Sequence, residues 1–415
     1  MDELLEQERI NRLENNHEQQ LQTFTSMLSL CESENDLLIL LKLLSKKKNQ
    51  IKISYQWLID KVFETHKDGL NSAEFPEENV KFMVEILVNV IEGKLYLEKQ
   101  RRDYANYIKE IYVKFDMFDK ALEIAYNVPI ETFSSLSLHE IAIYQLDVLK
   151  LCILTRDTIR AEIMVKKVKK KHLEAANDKV SVFMLALLKT DYFGMVGELL
   201  EATKILMEIL DMPDSYDHKY EVPQFTHFFE LRECADHLNR KVKEVFCVYA
   251  SFFAILSTKR KEKAEYLEKL HKNKYNVEEI RKQIDYFRSI ELIDKENVML
   301  VLRRINSSYE KEILEAINDH NLRIISRFCA SITFADLSAL LMSPLNKCVE
   351  KICDEVNNHD LQCKIDQNNG VVFFENTEES YPGMINQVLL NVDKAVMNIR
   401  KETLKRQVAM MRRKE

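Results

Sequence analysis

LQCKIDQNNGVVFF, residues Leu361 to Phe374, alternates apolar and polar positions on either side of Asn369-Gly370. An Asn-Gly pair accepts the positive φ angles of a two-residue β-hairpin turn, and on that register Ile365 lies opposite Phe374. Upstream the pattern is helical. HNLRIISRFCASI, from His320, reads as one helix, and Thr333 with Asp336 supplies a capping-box-like start for TFADLSALLM. Ser343 and Pro344 give an N-cap and a first-turn proline, and the helix they open sets Leu345, Cys348, Val349, Ile352 and Val356 on one face. Helix, helix, helix, hairpin is the order of a winged helix, here over residues 321–375.

The rest of the chain has no comparable strand signal. Its 415 residues include only 6 Gly and 6 Pro, with 46% hydrophobic and 31% charged residues, where ordinary globular chains carry about 7% Gly and 5% Pro. Few helix breakers and much amphipathic material point to stacked helices and short loops. The formal net charge is −7, so binding to a polyanion would require a local basic patch. Eight Cys without close pairing suit reduced thiols, the start MDELLEQERI is acidic and polar, and the apolar run Val245 to Thr258 is too short for a bilayer. A soluble protein of the cytoplasm and nucleus is expected.

Residues 1 to about 50 read as one or two helices with an apolar stripe at Leu37, Leu38, Leu41 and Leu44, closed by SKKKNQ. From Glu77 the helices come in pairs: KLYLEKQRRDYANYIKEIYVK precedes DMFDKALEIAYNV, and HEIAIYQLDVLKLCILT precedes RDTIRAEIMVKKVKK. Asp116 and Asp157 open corresponding second helices, a period of about 40 residues that marks a tetratricopeptide-like solenoid. Ala121 and Ala125 in DKALEIA form a close-packing surface. The fold expected is all-α: a helical-repeat solenoid over 1–205, a second domain over 206–375 with a helical part (206–320) and the winged helix, and a long terminal helix over 376–415. DMPDSYDHKYEVP, residues 211 to 223, reads as a joint in the solenoid.

Charge argues against the wing as a reader of nucleic acid. Between Pro344 and Asp360 the third helix sets Lys347 and Lys351 against Glu350, Asp354, Glu355 and Asp360, a surface that phosphates repel. The small sheet is better suited to joining a neighbouring protein's sheet through Val371, Val372, Phe373 and Phe374. In the terminal helix, Ile385, Leu389, Val392, Val396 and Ile399 recur at spacings of four and three, a heptad stripe that either folds back on its own domain or enters a bundle with other chains.

Catalytic signatures are missing: the chain has no P-loop, HExxH, GxSxG or dinucleotide fingerprint. His227, Cys234 and His237 could share a helical face, and Cys348, Cys353, His359 and Cys363 lie near the wing. The first set lacks a fourth ligand; in the second, Cys348 and Cys353 diverge by about 140° around a helix. Neither cofactor nor metal is expected. The run VKKVKKKH, Val165 to His172, reads as a solvated helix face.

Helical repeats, a winged helix and a terminal helix in that order resemble the PCI-domain proteins. EGKLYLEKQRR (92–102), VPIETF (128–133), RDTIRAEIMVKKV (156–168) and HNLRIISRFCASIT (320–333) look like stretches of the 26S proteasome's non-ATPase regulatory subunit 12 family. The resemblance covers roughly residues 80 to 400, and the chain looks shorter than typical members. It implies a non-catalytic scaffold of the regulatory-particle lid. Its implied partners are other PCI subunits, the lid deubiquitinase module, the proteasomal ATPase ring and the core-particle α ring. The COP9 signalosome's fourth subunit, or a PCI subunit of a translation-initiation or RNA-export complex, is the alternative.

Overall fold

The structure, a computed structural model, describes residues 2–31, 33–67, 74–211, 240–258, 260–357 and 361–374. The chain divides into two compact units, residues 1–250 and 251–415.

The first unit is a run of helices: α1 (Asp2–Leu13), α2 (His17–Ser29), α3 (Glu34–Ser45), α4 (Lys52–His66), α5 (Glu77–Ile86), α6 (Glu98–Lys114), α7 (Phe118–Tyr126), α8 (Leu138–Leu154), α9 (Thr158–Lys167), α10 (Lys170–Ala175), α11 (Lys179–Val196), α12 (Leu199–Leu210) and the start of α13 (Arg240–Leu256). The opening 50 residues thus hold three helices, not one or two. Neither Gly nor Pro marks the first break; Asn15 adopts φ +55° and Asn16 caps α2, its side chain accepting from the Gln19 N–H. The expected stripe Leu37, Leu38, Leu41 and Leu44 is buried, and one apolar core runs from Phe24 to Tyr192. Ala121 and Ala125 are buried as well, and their small size lets the Tyr144 hydroxyl reach the Ala125 carbonyl at 3.0 Å.

The repeat is visible in the backbone. Asp116, Arg156 and Gly197, spaced 40 and 41 residues apart, hold φ of +57°, +56° and +84°. Each lies between paired helices, and the next residue's N–H bonds five residues back: Met117 to Tyr112, Asp157 to Cys152, Glu198 to Phe193. This is the Schellman termination, which satisfies the orphan carbonyls of a helix end while reversing the chain. Asp116 therefore corresponds to Arg156, one residue before the expected Asp157, which is the N-cap of α9.

The second unit continues from α13 with α14 (Arg260–His271), α15 (Glu278–Arg288), α16 (Lys295–Ile305) and α17 (Glu310–Phe328). Then come β1 (Ser331–Thr333), α18 (Phe334–Leu341), α19 (Leu345–Asn357), β2 (Cys363–Asp366) and β3 (Val371–Phe374). The helix expected from His320 to Ile332 stops at Phe328, and Ser331–Thr333 become a strand instead. The three antiparallel strands lie in the order β1-β3-β2. Thr333 caps α18 as expected: its Oγ1 accepts from the Asp336 N–H at 3.2 Å and donates to Asp336 Oδ2 at 2.7 Å.

The hairpin register differs from the expectation by two residues. Ile365 pairs with Val372, and Cys363 opposes Phe374. A two-residue turn needs positive φ at both Asn369 and Gly370, but only Gly370, at +66°, has it. Asp366 decides the matter: its carboxylate accepts from the N–H groups of Asn368 and Asn369, both at 3.1 Å, and from Asn369 Nδ2 at 2.8 Å. The loop is thereby held open at four residues, and those bonds keep the Asp366 carboxyl below its usual range.

Candidate functional site

The wing encloses a small core formed by Leu322 and Ile325 of α17, Ile332 of β1, Leu337 and Leu341 of α18, Cys348 and Ile352 of α19, and Val372 and Phe374 of β3. Of the four strand residues expected to meet a partner, Val372 and Phe374 point inward, Val371 is half-buried and Phe373 is 47% exposed. β3 is the middle strand, so both its edges are already paired. Strand addition through Val371–Phe374 is excluded by that position, and among the described residues the outer strands are β1 and β2. These are three and four residues long, the short-edge form that limits indiscriminate pairing. Phe373 remains a side-chain contact candidate. Ile385, Leu389, Val392, Val396 and Ile399 lie outside the described residues.

On α19, Lys351 ion-pairs with Asp319 of α17 at 2.5 Å, which removes one of two cations from its outer surface. Lys347, Glu350 and Asp354 remain exposed. That face cannot neutralise a phosphate backbone.

A set of polar residues not singled out from sequence fastens the helices preceding the wing. Asn321 makes a two-way clasp with Ile293: the Ile293 N–H donates to Oδ1 at 2.8 Å, and Nδ2 donates to the Ile293 carbonyl at 3.0 Å. His320 Nε2 donates to the Glu291 carbonyl at 3.0 Å, leaving Nδ1 to accept from the Arg323 guanidinium at 3.1 Å. The ring is therefore neutral, and burial holds its pKa down at about 4. Buried Lys295 donates to the carbonyls of Leu341 and Met342 at the end of α18, and desolvation lowers its pKa. The available signal was two polar residues, His320-Asn321, on the buried face of α17.

One nucleophile-and-base spacing among the described residues is closed to solvent. His17 Nδ1 lies 2.6 Å from Ser54 Oγ, the spacing of a nucleophile and its base. Ser54 has no exposed surface, so no substrate carbonyl can approach it, and the pair joins α2 to α4. Buried Cys348 donates to the Ser343 carbonyl at 3.4 Å while Cys353 on the same helix is exposed. Among the described residues no group of three or more His, Cys, Asp or Glu side chains could hold a metal ion; His227, Cys234, His237 and His359 lie outside them. No described helix is long and apolar enough to cross a membrane.

The model of the PSMD12/CSN4 N-terminal family matches residues 1–217, and that of the PCI domain matches 287–376. The chain is 25% identical to 26S proteasome regulatory subunit RPN5 of Saccharomyces cerevisiae over 412 residues, which cover 96% of this chain and 88% of that protein. It is 23% identical to 26S proteasome non-ATPase regulatory subunit 12 homolog A of Arabidopsis thaliana over 442 residues, covering 99% and 97%. For the 26S proteasome non-ATPase regulatory subunit 12 of Dictyostelium discoideum the figures are 21%, 82% and 72%. Paired helices with recurring Schellman turns, a three-stranded wing and an N-terminal match over more than half the length give one conclusion: the chain belongs to the PSMD12/CSN4 family and carries a PCI domain behind its helical repeats.

Proposed function

We propose that this chain is a non-catalytic scaffold subunit of the 26S proteasome regulatory-particle lid, supporting its assembly and ubiquitin-dependent protein degradation. The carrying observation is similarity along nearly the whole chain to 26S regulatory subunits. The protein works in the cytoplasm and nucleus alongside other PCI subunits. Its further partners are the lid deubiquitinase module, the ATPase ring and the core-particle α ring. The solenoid (1–205) and the PCI domain (206–375) supply lateral contacts, with Phe373 at the wing, and the terminal segment (376–415) enters a shared bundle through Ile385, Leu389, Val392, Val396 and Ile399.

Affinity purification of the tagged full-length chain tests this. Proteasomal ATPases and lid subunits should co-purify; signalosome subunits or ribosomal proteins in their place would overturn the reading. Removal of residues 384–415 should leave the isolated chain's thermal midpoint unchanged while abolishing incorporation into the lid. A destabilised truncation that still assembles would show that the heptad stripe serves its own domain.

A further inference from the structure

The chain carries two lysine runs, and they stand in opposite electrostatic states. In the run at 166–171, Lys166 pairs with Glu162, Lys167 with Glu131, and Lys170 with both Glu174 and Glu208. Much of that positive charge is answered within the molecule. In the other run, Lys46, Lys47, Lys48 and Lys52 are all exposed, and among the described residues none has an acid within ion-pair distance.

The turn presenting these four ammonium groups is firmly built. The N–H of Lys46 donates to the Leu43 carbonyl at 3.3 Å and that of Lys47 to the Leu44 carbonyl at 3.2 Å. The Arg12 guanidinium donates to the Lys48 carbonyl, Gln20 Nε2 reaches Gln50 Oε1 at 3.3 Å, and Asn49 sits at φ +56°. A lysine or two at the end of α3 would complement its helix dipole. Four within seven residues exceed what half an elementary charge calls for.

A second feature is continuous with the first. On α3, Ile39 is 62% exposed and Leu43 37%, although the same helix buries Leu37, Leu38, Leu40, Leu41 and Leu44. Helical geometry sets Ile39, Leu43 and Lys46 within about 60° of one another, so the outer face of α3 is aliphatic and ends in positive charge. Ile53, 65% exposed, stands beside Lys52 at the start of α4. An aliphatic stripe running into cations is complementary to a helix with apolar residues on one face and carboxylates at one end. A nucleic acid would use the lysines and leave Ile39 and Leu43 against phosphate.

We infer that the outer face of α3 and the turn behind it, Ile39, Leu43, Lys46, Lys47, Lys48 and Lys52, dock an acidic amphipathic segment of another protein. The inference goes beyond the proposed function and does not depend on which assembly the chain joins. Zero-length carbodiimide coupling, which joins a lysine amine to a carboxylate in direct contact, tests it on the full chain purified in its native assembly. Lys46 to Lys52 should couple to Asp or Glu of another protein, whereas Lys166 to Lys170 should couple mainly to this chain's own Glu131, Glu162, Glu174 and Glu208. Exchanging Lys46, Lys47 and Lys48 for Glu should remove those links and lower retention of the coupled partner about tenfold at low salt. Ile39→Ser with Leu43→Ser should weaken the same partner while sparing the rest of the assembly. Circular dichroism confirms that each variant is folded. If Lys46 to Lys52 yield no intermolecular carboxylate link, or if retention of the partner is lost on nuclease or detergent treatment, the inference is overturned; the latter outcome assigns the patch to nucleic acid or lipid.

Discussion

Asp191 lies on α11 with no exposed surface, and among the described residues neither carboxylate oxygen has a hydrogen-bond partner. Desolvation lifts its pKa well above the ordinary 3.8. Because the folded-state value is raised, the acid is tolerated while protonated. Its penalty begins as pH climbs past the unfolded value and grows until the folded value is passed. Asp191→Asn abolishes the ionisation; it should raise the thermal midpoint at pH 8, by on the order of 1 to 3 kcal/mol of stability, and change little at pH 4. Equal effects at both pH values would show that packing, not charge, dominates. Arg156 is a second local cost, a side chain held at φ +56° where its counterpart Gly197 has none. Arg156→Gly should stabilise by about 0.5 to 1 kcal/mol in denaturant titration. The sequence conceals both sites, since one Asp in an apolar helix looks like a solvent position and Arg carries no turn signal.

At the scale of elements, the hairpin loop depends on Asp366. Asp366→Ala removes the acceptor for two backbone N–H groups and one side-chain amide. The loss should be seen as faster amide exchange in β2 and β3 with the first unit unaffected. The order of helices and the existence of a hairpin were legible from caps, Pro344 and alternation, because those signals act locally. The register was not: Asn-Gly favours a two-residue turn only when nothing competes, and here an Asp three residues earlier captures the loop amides. β1 was hidden for another reason. Ser331–Thr333 is too short to show alternation and becomes a strand through pairing with Val371–Phe373. Of the candidate site, the acidic character of α19 could be read directly, whereas the central position of β3, which closes its edges, follows from that unseen third strand.

Across the whole molecule the two units should respond to acid in opposite directions. In the second unit, neutral His320, with its pKa lowered to about 4, supports the fold at neutral pH. A depressed histidine contributes stability above its unfolded value near 6.5, and that contribution is lost as pH falls toward 4. In the first unit, the penalty for burying Asp191 lessens as pH falls toward the unfolded value. Hydrogen exchange, corrected for intrinsic rates, should therefore lose protection in α15 to α17 between pH 7 and pH 5 while α11 holds or gains. Earlier loss in α11 would contradict the assignment.

The strand order of the wing also bears on how the protein is made. A ribosome releases β1 first, then α18, α19 and β2, and only afterwards β3, the strand to which both others must bond. The solenoid pairs neighbouring helices and can consolidate as it emerges, since domains nearer the N-terminus fold first during synthesis. The wing has no such intermediate form: until Phe374 has been added, β1 and β2 are two unpaired strands with no sheet to join. Chains terminated early by a nonsense codon therefore fall into two classes, those ending before Val371 with an exposed apolar helix cluster for chaperones and proteases to find, and those ending after Phe374 with a closed module.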